Sequence, residues 1–458
     1  MSAAAAENSD QEIILINFAI VVHQNRFLAS DATEMDAVLE VQATTDSDVT
    51  VSPTSTLIII IDCSSSMSVP LAKIFAAKEA AKAAIESLRP GTRFAVIAGT
   101  ETARLVFPPS GLASASDESK VAAKAAVSRM RANGGTAMST WLALAAELVR
   151  AHPATIPRAI LLTDGQNVGE SRARLTAVLE ECKGHFRCDC RGIGEDWVAE
   201  DLIMITRVLL GAARPIEKAS DLVEDFRAIA REAMGKVVSE AWLRVWVPFR
   251  GKVVFLKQVY PTINDLTGRA VRVDDNTSGY PTGAWGTEKR HYHLRIGGLN
   301  GVDAESASRV GRVRFVMHGE ESEAAVVLAQ WTDDPLQLTQ ISSAVAEATG
   351  QVEIALEIQL GAHAIRADDD EKATAHLGRA VRLAHEAGDQ SKIDLLARMV
   401  EILDRATGTV RLRPDLGHRI VEHSELLSTW TRDVGADADA DAGGDDVPTA
   451  TDDPGTER

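Results

Sequence analysis

The sequence lacks any cluster of lysine and arginine. It carries 48 basic and 66 acidic residues, for a formal net charge of -18. Nucleic-acid binders concentrate positive charge on one face. Without such a face, polyanions are poor candidates and no nucleic-acid partner is expected. Cysteine is scarce as well, with Cys63, Cys182, Cys188 and Cys190 only. The group Cys182-x2-His185-x2-Cys188-x-Cys190 has the wrong spacing for paired zinc knuckles, and no second ligand pair is evident. On a strand, Cys188 and Cys190 share a face. Packed, reduced thiols are the expectation, with zinc, redox or disulfide roles as alternatives. Long apolar runs are also missing near the start. Residues 13–22 are too few to span a bilayer and are interrupted by Asn17. Residues 1–12 are small and acidic, without the basic region of a signal peptide. Membrane insertion is therefore not expected, and the cytoplasm is the default location.

Enough is present for two or three domains: 458 residues, of which 45% are apolar. Residues 1–12 read as disordered, and 13–50 as strands. From Leu57 the pattern alternates between strands and helices of ten or more residues. Strands are expected at 56–61, 93–98, 104–107, 159–162, 186–191 and 212–216. Helices are expected between them, up to 219–233. This predicts an α/β fold with a doubly wound, mostly parallel sheet. Residues 237–332 read as a compact antiparallel β-sandwich, punctuated by glycines. The strands at 13–50 need a partner and are expected to join it, which makes 54–233 an insertion. Residues 335–412 read as a helical domain, with helices at 336–349, 350–366, 370–387 and 390–407. Residues 432–458 hold nine acids and almost no bulky apolar side chains. They read as a disordered acidic tail.

The chemistry gathers at strand ends. Asp62-Cys63-Ser64-Ser65-Ser66 follows the apolar run Leu57–Ile61. Thr136 follows Gly134-Gly135, and Asp164 ends another expected strand before Gly165. Ligand sites of such folds lie outside the carboxyl ends of the strands. Each residue alone has an ordinary reading. Ser64, Ser66 and Thr136 suit caps or loops, and Asp62 and Asp164 suit turns. Together, Asp62, Ser64, Ser66, Thr136 and Asp164 offer two carboxylates and three hydroxyls. That set suits a hard cation, magnesium first, with manganese or calcium as alternatives. Few anionic ligands leave the cation electrophilic, so an open position accepts a carboxylate from a protein partner. The expectation is a binding module and not an enzyme. A metal-dependent hydrolase using His152 is the alternative, as is a structural protein with a vacant metal site. No Walker-type Gly-rich stretch with Lys-Ser/Thr is present.

At these residues the chain resembles the von Willebrand factor type A family. Asp62-x-Ser64-x-Ser66, Thr136 and Thr163-Asp164-Gly165 match its metal-ion-dependent adhesion site. The resemblance covers residues 54–233. It implies that the two serines and the threonine contact the metal. It also implies that the two aspartates do so directly or through water. The commonest pattern has glycine between the serines. Ser65 fits there only if the backbone avoids a glycine-only conformation. The flanking regions are similar to bacterial members of the family. A domain of this kind inserted in a sandwich is similar to the integrin head and its hybrid domain. Intracellular relatives imply scaffolding, or partnership with an ATPase or chaperone complex.

Overall fold

The computed structural model describes residues 16–45, 55–152, 156–300, 307–317 and 319–433. The expectations of disorder at 1–12 and along 434–458 lie outside the described residues. At 432–433 the chain is held in place. Arg432 donates to Glu347 at 2.6 Å, and Asp433 lies 3.1 Å from the Lys289 ammonium.

Strands β1 (Ile16–Gln24), β2 (Phe27–Ala29) and β3 (Glu34–Thr45) open the chain. An α/β unit follows: β4 (Ser55–Asp62), α1 (Ala72–Glu86), β5 (Arg93–Gly99), β6 (Ala103–Phe107), β7 (Ala113–Ser114), α2 (Asp117–Ser128), α3 (Met138–Arg150), β8 (Ile156–Thr163), α4 (Arg172–Cys182), β9 (Arg187–Ile193), α5 (Ala199–Val208), β10 (Ala213–Ile216) and α6 (Leu222–Met234). Its strand order is β10-β9-β8-β4-β5-β6, with β7 also on β5. The five strands from β10 to β5 are parallel, and β6 and β7 are antiparallel to β5.

The run in β4 explains why this sheet is covered on both faces. All eight of its residues are buried. Leu57, Ile59 and Ile61 pack with α1, α2 and α6, while Ile58 and Ile60 pack with α3, α4 and α5. Period-two alternation sends successive side chains to opposite layers. The sheet order reverses between β4 and β8, because β5 lies on one side of β4 and β8 on the other. That crevice is where such sheets place ligands.

The β region continues with β11 (Val238–Trp246), β12 (Lys252–Tyr260), β13 (Asn264–Asp265), β14 (Val271–Arg272), β15 (Thr277–Trp285), β16 (Glu288–Gly297), β17 (Ser308–Met317), β18 (Glu320–Glu321) and β19 (Ala325–Thr332). Two sheets form, β1-β3-β16-β12-β13 and β14-β15-β11-β17-β19-β2, the latter with β18 on β17. One apolar core, including Leu39, Leu243, Leu294 and Phe315, draws on both. β3 pairs antiparallel with β16 from Glu34 to Ala43, so the chain before the α/β unit and the chain after it share a sheet. β15 carries Gly279, Pro281 and Gly283, punctuation that hides a strand from a reading by pattern.

The C-terminal region holds α7 (Pro335–Leu338), α8 (Ser343–Arg366), α9 (Asp370–Glu386), α10 (Gln390–Leu396), the hairpin β20 (Val400–Asp404) and β21 (Thr409–Leu412), and α11 (His418–Ser428). Two expectations are corrected here. The helices expected at 336–349 and 350–366 are largely one, because Gly350 is tolerated inside α8. The helix expected at 390–407 stops at Leu396. Beyond it the chain turns back through Gly408, whose φ of +70° favours glycine.

Candidate functional site

The five oxygen-bearing residues come together at the crevice between β4 and β8. Asp62 ends β4 and Asp164 directly follows β8. Both are fully buried, and Ser64 and Thr136 are nearly so. Ser64 N–H donates to Asp62 Oδ1 at 2.8 Å, and Thr163 Oγ1 donates to Asp62 Oδ2 at 2.6 Å. The Ser64 and Ser66 hydroxyls are 2.9 Å apart, and Ser66 Oγ donates to Asp164 Oδ1 at 2.8 Å. A Cβ added at Gly165 would lie 3.3 Å from Ser66 Oγ, 3.6 Å from Thr136 Oγ1 and 3.8 Å from Asp62 Oδ2. Three site oxygens from two segments, 62–66 and the loop before α3, thus surround one point on a third loop, and glycine keeps it clear.

Backbone bonds lace these loops together. Cys63 N–H donates to Gly99 O, Asn133 N–H to Cys63 O, and Gly169 N–H to Thr136 O, each at 2.7 Å. Ser65 is part of the lacing. Its N–H donates to Gly134 O at 2.9 Å, and its hydroxyl accepts from Gly134 N–H at 3.1 Å. Ser65 is absent from the residues with positive φ, so serine fits where glycine is commonest. Gly134 itself has φ +125° and belongs to the conformations that favour glycine. Glu101 accepts from Gly135 N–H at 2.7 Å. Asn167 and Glu170 accept from the first two N–H groups of α3, Met138 and Ser139, at 2.9 and 2.8 Å. They cap that helix from the loop after Asp164.

Burial pushes the Asp62 carboxyl up to about 6. Hydrogen bonds from Thr163 and Ser64 oppose the rise, and the negative charge of Asp164 adds to it. Two buried carboxylates beside three hydroxyls form an all-oxygen donor set. The residues fit a hard divalent ion, since every donor is oxygen and the hydroxyls supply what two acids alone cannot. Among the described residues no group of three or more His, Cys, Asp and Glu side chains is arranged to hold a metal. A cation here would therefore rely on Ser64, Ser66 and Thr136.

Two contacts at the site were not expected from the sequence, one of them from Thr163, which stood there only as part of the Thr163-Asp164-Gly165 motif. Thr163 holds Asp62 in place, and Lys73 Nζ lies 2.7 Å from Asp164 Oδ2. The signal for Lys73 was local. A cation in the first turn of a helix opposes the helix dipole and needs a separate reason. His152, weighed as a hydrolytic group, is not brought to the site. It follows α3, whose other end is next to Thr136, and thirteen helical residues span about 20 Å. Its Nδ1 is 3.1 Å from Leu148 O. The cysteines are buried free thiols, and Cys182, Cys188 and Cys190 share the core with α3 and α5. Burial pushes the Cys182 thiol up to about 11 and the Cys63 thiol up to about 12.

The fold and this site define a von Willebrand factor type A protein, and the chain belongs to that family. The von Willebrand factor type A domain matches residues 55–214, and the von Willebrand factor type A C-terminal domain matches 382–418. The solved structure of a von Willebrand factor type A protein from Catenulispora acidiphila is 40% identical. That match covers 93% of this chain and 99% of the other, with a TM-score of 0.86. The ArnB paralog VWA2 from Sulfolobus acidocaldarius shares the fold at 13% identity. There the coverage is 90% of this chain and 97% of the other, with a TM-score of 0.53. A search of curated proteins found no match.

Proposed function

We propose that the α/β unit is a protein-binding module that holds a divalent cation, magnesium first, and completes its coordination with a partner's carboxylate. The observation that carries this reading is the convergence of Asp62, Ser64, Ser66, Thr136 and Asp164 from three loops onto one crevice. Ser64, Ser66 and Thr136 would offer hydroxyl oxygens. Asp62 and Asp164 would ligate or hold water at the cation. A cation held by these residues would supply an electrophilic position for the partner's carboxylate. Binding, and not catalysis, is the reading because, among the described residues, the groups that hydrogen-bond to the two acids are Ser64, Ser66, Thr163 and Lys73. Among these no acid, base or nucleophile pair of a hydrolase is set out. An ATPase or chaperone complex is a candidate source of the partner carboxylate.

The test is titration calorimetry of Mg²⁺ and Mn²⁺ into the wild type and Asp62→Ala, followed by partner capture with and without chelator. Loss of metal binding in the variant and chelator-sensitive capture are expected. Equal metal affinity in both proteins would overturn the reading. Among the described residues no helix is long and apolar enough to cross a membrane.

A further inference from the structure

Lys73 has no role in the scheme above, yet it touches one of the two buried acids. Its ammonium lies 2.7 Å from Asp164 Oδ2, while Ser66 donates to the other oxygen. The Lys73 side chain is 12% exposed and Asp164 is fully buried, so little water stands between them. The fold makes room for this contact. Gly194 has φ +83°, and a Cβ there would come 2.9 Å from Lys73 Cε. A second acid, Asp196, lies 3.9 Å from the same ammonium and is 66% exposed. The lysine thus has a buried acceptor beside the site and an exposed one at its rim.

Resting on the reading that Asp164 serves a divalent cation, we propose that Lys73 is a built-in competitor of that cation. It neutralises Asp164 while the metal is absent and shifts toward Asp196 when the metal binds. An ammonium and a dication that share one carboxylate repel each other, and a buried pair is weakly screened. The lysine therefore lowers the affinity for metal alone. A partner carboxylate adds the negative charge that Lys73 offsets, so metal and partner each strengthen the binding of the other. That coupling is reciprocal by linkage. The site would fill with metal and partner together, and poorly with either one.

The experiment is calorimetric titration of Mg²⁺, repeated with Mn²⁺, into the full chain as wild type, Lys73→Met, Lys73→Arg and Asp196→Asn. Circular dichroism melts check folding. Lys73→Met is expected to bind at least tenfold more tightly, equivalent to about 1.4 kcal/mol. Lys73→Arg keeps the charge and is expected to stay near the wild type. Asp196→Asn lies at an exposed position and removes the alternative acceptor, so weaker metal binding is expected. A folded Lys73→Met that binds no more tightly than the wild type overturns the proposal. If Lys73→Met fails to fold, unchanged affinity in Asp196→Asn overturns it instead. Wild-type binding combined with either result leaves the metal reading standing. Absence of binding to both wild type and Lys73→Met at millimolar metal overturns the metal reading and this proposal with it.

Discussion

Asp62 carries the pH dependence of the site. Its ordinary value is 3.8, and burial pushes it up to about 6 in the folded chain. Between those values the native state binds more protons than the unfolded state. Stability contributed by protonated Asp62 is present below the unfolded value and is lost as pH rises through about 6. A bound cation favours the ionised form and reverses this trend. Magnesium should thus raise the melting temperature little at about pH 5 and most at about pH 7 and above. Melts with and without Mg²⁺ across that range check it. A shift independent of pH would separate Asp62 from the binding step. At this scale most of the candidate site was legible, because each of its five residues sits in a short motif beside a strand end or a glycine. Thr163 and Lys73 were not, because their importance lies in which carboxylate oxygen they reach. That depends on the packing of α1 and β8 against each other.

Among the elements, α11 was the least legible. Its sequence reads as polar, yet Glu422, His423, Ser424 and Glu425 are buried. Their partners come from afar: Arg366 at the end of α8 donates to Glu422 at 3.0 Å and to Glu425 at 2.7 Å. Glu422 in turn accepts from the first N–H of α5, Ala199, at 2.5 Å. Just beyond α11, the Trp430 indole donates to Ala213 O of β10 at 2.7 Å, and the Arg214 guanidinium stacks 4.1 Å above its ring. The helix thereby covers the β10 edge, which would otherwise invite pairing with another chain. Leu426 is fully buried against the α5 side of the unit. Leu426→Ala should cost about 2–5 kcal/mol. Urea denaturation reads the loss, and light scattering should show more aggregation. An unchanged midpoint would mean that α11 covers the edge without stabilising the unit. The parallel strands were easier to read, since β4 is buried on both faces and shows a continuous apolar run.

At the scale of the molecule, buried charge joins the α/β unit to the β region. Arg158 on β8 donates to Asp189 on β9, and also to Glu232 on α6 at 3.1 Å. Lys236, just past α6, donates to Glu288 of β16 at 2.6 Å, and Arg290 donates to the same acid at 2.7 Å. Burial works to raise the Asp189 carboxyl, but Arg158 and Arg187 outweigh it and hold it below its ordinary value. Burial likewise opposes ionisation of Glu288, but Arg290 and Lys236 bring it down to about 2. The stability from Glu288 is present above its ordinary value of 4.5 and is lost as pH falls toward about 2. Arg158→Met leaves Asp189 without its closest cation, and a loss of about 3–5 kcal/mol is expected. Chemical denaturation measures it, and a loss below about 1 kcal/mol would show that Arg187 takes over the pairing. None of this network was legible in the sequence. Its members lie far apart along the chain, and each charged residue alone reads as a solvated surface group.

The central place of β4 has a mechanical consequence. Asp62 sits at its carboxyl end and Ser55 at its other end. A partner pulling on a cation at Asp62 would load β4 along its length. β5 and β8 flank it in parallel, with six and seven residues of β4 in register beyond Asp62 itself on the two sides. The force would act in shear across both ladders at once, and the hydrogen bonds would share it and not open one after another.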